Sequence, residues 1–131
     1  MIAHDAGFAS REVASFWRFI TSSLNWRPPA PEANSLYALA IHTFGTVEEN
    51  VVEILGGQPV NRQREAEFQA AGPSTAAIQQ RWETLRPNLE AVLTLLTHAD
   101  LQRTYSHPRR GEITGLAVLI VVARHTAEHL G

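Results

Sequence analysis

Apolar side chains in this sequence recur at helical rather than strand spacing, and their stripes mark four helical segments. The first runs from about Ser10 to Leu24. Val13, Phe16, Trp17, Ile20 and Leu24 fall on one face, and Ser10 is placed to cap it. Asn25-Trp26-Arg27-Pro28-Pro29-Ala30-Pro31 stops this segment, because proline disfavours helical geometry in the residue before it. The second starts at Asn34, a good capping residue, and runs to about Leu55, where Gly56-Gly57 ends it. Its apolar positions (Leu36, Leu39, Ala40, Phe44, Val47, Val51, Ile54, Leu55) spread around much of the helix, which predicts burial on more than one side. In the third, Ile78, Trp82, Leu85, Leu89, Val92 and Leu96 alternate steps of four and three, the seam of a helix bundle. Ser74 or Thr75 caps it after Gly72-Pro73, and Pro87 is expected to kink it or divide it in two. The fourth begins near Ile113 and runs through Gly115 to Ala123 into Arg124-His125-Thr126-Ala127-Glu128-His129. Its β-branched run also suits a strand. No turn residue separates it from the helix-favouring stretch that follows, so a helix is expected.

Most connections are short, but about eighteen residues join the second segment to the third, Gly56 to Pro73. Extended, that link spans roughly 60 Å, against roughly 33 Å for the second helix, so the chain can run back along the bundle. The second and third helices can then lie parallel. The length of 131 residues fits one domain, 1–131, around one core.

Composition removes several function classes. The formal net charge is −2, with no basic stripe, which argues against direct contact with nucleic acid. Without cysteine there is no disulfide, no thiolate metal ligand and no cysteine nucleophile. The N-terminal stretch, Met-Ile-Ala-His-Asp-Ala-Gly-Phe, lacks the pattern of a signal peptide, and Gly115 to Ala123 is too short to span a bilayer. A cytoplasmic protein without a membrane partner is expected. All its cations are arginines. Arg62 and Arg64 in the long link, and Arg109 and Arg110 before the last helix, either meet an anionic substrate or, as is usual in loops, are simply solvated. Solvation is the expectation.

Candidate chemistry lies in the histidines. His125 and His129, four apart, project from one helix face and continue the face of Val118, Val121 and Val122. This is the spacing at which two imidazoles grip one metal ion. A histidine near a helix C-terminus also complements the macrodipole without any metal, so spacing leaves both readings open. His42 lies mid-way along the second segment beside the small residues Ala38, Gly45 and Thr46, either as a satisfied core histidine or as a third ligand. Three imidazoles leave coordination positions open, as a reactive site requires. Glu49 and Thr46 are placed to orient an imidazole, although a solvated face explains Glu48, Glu49 and Glu53 equally well. The order His-x-x-Glu-His matches an inverted zinc-protease motif, but so short a chain has little room for a peptide cleft, and Arg124 with Glu128 reads as a surface pair. His4, His98 and His107 receive no role.

Four stretches occur in an order that resembles the DinB-like superfamily of small metal-binding four-helix bundles, which includes mycothiol- and bacillithiol-dependent enzymes. They are Trp26-Arg27-Pro28-Pro29, Asn34 to His42, Arg62-Gln63-Arg64-Glu65-Ala66-Glu67-Phe68, and Ala123 to Gly131. The resemblance implies an all-α, up-down-down-up four-helix bundle, often a homodimer, with the long connection between helices 2 and 3. It also implies a metal triad at His42, His125 and His129. In relatives the last helix usually continues well past the second histidine, whereas here two residues follow His129. Either the chain continues beyond Gly131, or the third ligand sits in a terminal turn that frays. Imidazole ligands suit zinc or nickel, and spacing does not choose between them. The leading expectation is a metal-dependent transferase that activates a low-molecular-weight thiol for attack on an electrophile, both small molecules. A metal-binding or stress-related bundle without catalysis is the alternative. A metal-assisted hydrolase and a bundle that acts only through dimerisation are more distant readings.

Overall fold

The computed structural model describes residues 34–72 and 74–130. The helix expected from Ser10 to Leu24 lies outside them. Helix α1 spans Leu36–Val47 and continues without a break as a π-helical segment, Glu48–Leu55. Its cap is Ser35, one residue beyond the expected Asn34. The Ser35 backbone is extended, and its hydroxyl accepts the Ala38 amide at 3.1 Å. Gly57, at φ 69°, ends the segment where a left-handed residue is needed. Glu49, Asn50, Val51 and Val52 are buried in succession, so this helix is enclosed on more than one side, as its apolar spread predicts.

The long connection is not bare. It holds a short helix, α2 (Arg64–Glu67), before α3 (Ala76–Leu95). Ile78, Leu85, Leu89 and Val92 of α3 are buried, as the predicted seam requires. Of the kink or division expected at Pro87, the division does not occur, and one helix runs on through it. Pro87 and Glu83, four residues earlier, are both exposed, so the carbonyl that loses its partner can turn to water.

A capping box formed by Thr97 and Asp100 starts the short helix α4 (His98–Gln102). A small antiparallel hairpin follows, β1 (Thr104–His107) and β2 (Gly111–Thr114), with Tyr105 opposite Ile113 and His107 opposite Gly111. Gly111, at φ 68°, is the left-handed residue that opens β2 directly after the three-residue turn, 108–110. The last helix, α5 (Gly115–Leu130), therefore starts after Ile113, which belongs to β2. The chain is mostly helical, as expected, with this two-stranded sheet in addition.

Contacts between the helices fix their directions. Gly72, just before α3, lies against the Tyr37 ring in the first turn of α1. Further along, the Phe44 and Trp82 rings stack at 5.9 Å, Arg81 pairs with Glu48, and Gly56 meets Val92. These contacts advance together, so α1 and α3 are parallel, in keeping with the long connection. Helix α5 runs the opposite way: His125 lies beside Thr46, and His129 packs against the earlier His42. Tyr37, Phe44, Val51, Val52, Leu55, Ile78, Leu85, Leu89, Val92 and Val118 form the common core. No helix among the described residues is long and apolar enough to cross a membrane.

His107, given no role from the sequence, pins the hairpin to this core. It is buried, its Nε2–H donates to Asn50 Oδ1 at 3.1 Å, and its Nδ1 accepts the Arg109 amide at 3.1 Å. Asn50, fully buried, donates in turn to the Thr46 carbonyl. Asn50→Ala strands the His107 N–H and should lower stability by about 1–3 kcal/mol, read as a lower urea midpoint. An unchanged midpoint would show that the hairpin is not held there.

Candidate metal centre

Three imidazoles meet where α1 and α5 pass one another. His42, on α1, is 5% exposed, while His125 and His129, one turn apart on α5, are half-buried. The Nε2 of His125 lies 2.9 Å from Nε2 of His42 and 3.1 Å from Nε2 of His129. All three sequence-predicted ligands are thus brought to one point, their nitrogens within 4.8 Å of one another.

Hydrogen bonds alone do not account for this arrangement. A neutral imidazole carries one hydrogen and one lone pair. His42 Nδ1 lies 2.8 Å from Glu67 Oε2, so its hydrogen goes to the carboxylate and its Nε2 is left bare. His125 then faces two nitrogens with at most one hydrogen at its own Nε2. At least one of the two close contacts is left without a linear hydrogen bond. His125 Nδ1 is buried and has no partner in either tautomer. Burial lowers the pKa of His42 below its usual range, although Glu67 opposes the shift. Burial, with His129 and His42 adding to it, pushes His125 down to about 4. Both rings are therefore neutral at neutral pH, the state in which imidazole binds metal. The donor set fits a shared cation.

Beneath the imidazoles runs a row of buried charges. Arg62 grips Glu67 with two bonds, Nε to Oε1 at 2.7 Å and Nη2 to Oε2 at 2.9 Å. It also donates to Glu49 at 2.8 Å and to the Thr46 hydroxyl at 3.0 Å. Glu49 is held from its other side by Arg109. Burial works against the charge on Glu49, but its bonds to Arg109 and Arg62 prevail and keep its carboxyl below the usual range. Burial likewise disfavours the Arg62 cation, and Glu67 and Glu49 outweigh it.

Arg62 was expected in solvent. Its side chain is only 6% exposed, because two carboxylates inside the fold need a counter-charge. Glu49 serves Arg62 and Arg109 rather than an imidazole. Thr46 does reach His125, at 3.5 Å. Arg64 is exposed and lies over the Phe68 ring, which packs on His42 at 4.5 Å. Arg110 and His98 are exposed, and Glu128 pairs with Arg124 at the surface, as expected. Glu67 is the residue that sequence reading missed. Nothing in its spacing distinguishes it from the acidic residues around it.

The fold and site define a mostly helical protein with a three-histidine group that can hold a metal ion. Residues 13–131 match the DinB superfamily, a metal-binding family, and the chain belongs to it. No curated protein and no solved structure matches the chain.

The lowered pKa of His125 has a consequence for stability. Between the unfolded value of 6.5 and about 4, the unfolded chain binds a proton that the folded chain does not. Metal-free protein should therefore lose stability as pH falls through that window, and His125→Asn should lose less. Urea midpoints measured at several pH values test this, and identical slopes for the two proteins would contradict it.

Proposed function

We propose that the protein is a metal-dependent enzyme that activates a low-molecular-weight thiol for transfer to an electrophile, with zinc or nickel held by His42, His125 and His129. The observation that carries this reading is the convergence of three imidazoles in a chain without cysteine. A divalent ion at such a site would lower the pKa of a bound thiol and so supply the sulfur nucleophile that the chain itself lacks.

The surrounding residues suit that task. Glu49 and Glu67 offset Arg62 and Arg109, and His42 and His125, both lowered in pKa, add no charge. Ligands that complete the site from solution therefore gain by being anionic, as a thiolate is. Phe68 covers one face of His42 and shields it from water. The scaffold in this proposal is an up-down-down-up four-helix bundle, in a cytoplasmic homodimer that binds neither nucleic acid nor membrane. The parallel α1 and α3 and the antiparallel α5 support that topology.

A second reading, metal binding without catalysis, is favoured by the commitment of nearby acids. Glu67 is taken up by Arg62 and His42, and Glu49 by Arg62 and Arg109, which leaves neither free to move a proton.

Elemental analysis of untagged protein should find about one zinc or nickel per chain, lost in His42→Ala. Adding a small thiol and a model electrophile to the loaded protein should then consume thiol above background. Metal without thiol consumption would favour the second reading. No metal in either protein, even after reloading, would sink both.

A further inference from the structure

We infer that Gly45, Arg62 and Glu67 form a clamp that fixes His42 in one tautomer, with hydrogen on Nδ1 and a bare Nε2 turned toward His125 and His129. Glu67 is thereby a positioning residue of the site, and Arg62 and Gly45 are what hold it in place. The clamp's effect on affinity rests on the proposed metal site. Its effect on the tautomer does not.

Three observations converge on this. The first is the fork of Arg62 on Glu67, which occupies both carboxylate oxygens, while Glu49 and Thr46 hold the same guanidinium from its other side. Both partners are nearly closed off from solvent, with side chains 6% and 8% exposed. Glu67 cannot rotate away from His42 without leaving a buried guanidinium short of partners.

The second is Gly45, in the interior of α1. Glycine destabilises a helix interior relative to alanine, and no positive φ calls for it here. Close approach does. A Cβ at this position would lie 2.0 Å from Glu67 Oε1, 2.8 Å from its Cδ and 3.0 Å from Arg62 Nε. Any side chain at position 45 would push the ion pair out of its place.

The third is the geometry at His42 itself. A histidine side chain free in water favours the hydrogen on Nε2. At 2.8 Å from Glu67, that tautomer would set the Nδ1 lone pair against a carboxylate, so the clamp reverses the ordinary preference. The lone pair is then on the nitrogen that faces the other two imidazoles.

Gly45→Ala is the informative variant, because it removes no hydrogen-bonding group and improves helix propensity. In metal-free protein, two-bond proton–nitrogen correlation spectra of the His42 ring should report Nδ1–H in the wild type. Gly45→Ala and Glu67→Ala should shift His42 toward Nε2–H. Glu67→Gln, whose amide oxygen can still accept, should keep more of the Nδ1–H form. Zinc affinity, measured by competition with a chromogenic chelator, should fall about 10–100-fold in Gly45→Ala and Glu67→Ala, and less in Glu67→Gln. Thermal melts should show Gly45→Ala still folded. An unchanged His42 tautomer in folded Gly45→Ala and Glu67→Ala would overturn the clamp. A responsive tautomer in a protein that binds no zinc would uphold the clamp and remove the metal reading instead.

Discussion

A buried carboxylate is tolerable only with a partner, since isolating an ion from water costs several kcal/mol even after the surroundings relax. Among the described residues two are buried, Glu49 and Glu67, and much of the architecture answers to them. Arg62 lies between them, and Arg109 meets Glu49 from outside. The four residues come from the π-helical segment, the long connection, α2 and the hairpin turn. One alternating row of charge thus ties the long connection and the hairpin turn to the main helix. His42 closes the row through its bond to Glu67. Removing one member takes a partner from the next, so the row acts as a unit rather than as separate surface bridges.

The same row explains why a connection of this length keeps a definite course. Residues 56–63 form no regular helix or strand, and most of that stretch is exposed. What fixes it is Arg62, whose four side-chain bonds reach Glu49, Thr46 and both oxygens of Glu67. Helix α2 is only four residues long, too short to be stable alone, and Glu67 at its end is its buried anchor. The connection therefore does more than carry the chain back for a parallel α3. It delivers the carboxylate that orients an imidazole.

Sequence pattern revealed the features that depend on local periodicity. The α1 and α3 stripes and the spacing of His125 and His129 are each readable from one helix face, and the triad followed once the order of segments was recognised. Features that depend on distant partners were hidden. Arg62 looks like any loop arginine until Glu49 and Glu67 are placed beside it. The hairpin strands are four residues each, and their half-buried apolar members are a single cross-strand pair, Tyr105 and Ile113, too few to register as alternation. Pro87 failed to divide α3 because its cost depends on whether the abandoned carbonyl faces water, a tertiary property. His107 carries no local signal, since its partner Asn50 is 57 residues away.

The local rules that the fold breaks are concentrated around His42. A glycine interrupts a buried helix, a π-helical segment begins only a few residues later, charges are buried, and three imidazole nitrogens crowd together without a complete set of hydrogen bonds. Each is unfavourable alone, and none improves the packing of the apolar core, which lies along α1, α3 and Val118. Several such features gathered around one side chain are the pattern of a binding site rather than of a packing solution. A cation bound only by the folded state would offset it, adding about 2.7 kcal/mol at a hundredfold excess over its dissociation constant. Because its ligands come from α1 and α5, that stabilisation would act at the contact between those two helices, where the clamp on His42 already directs one of the three lone pairs.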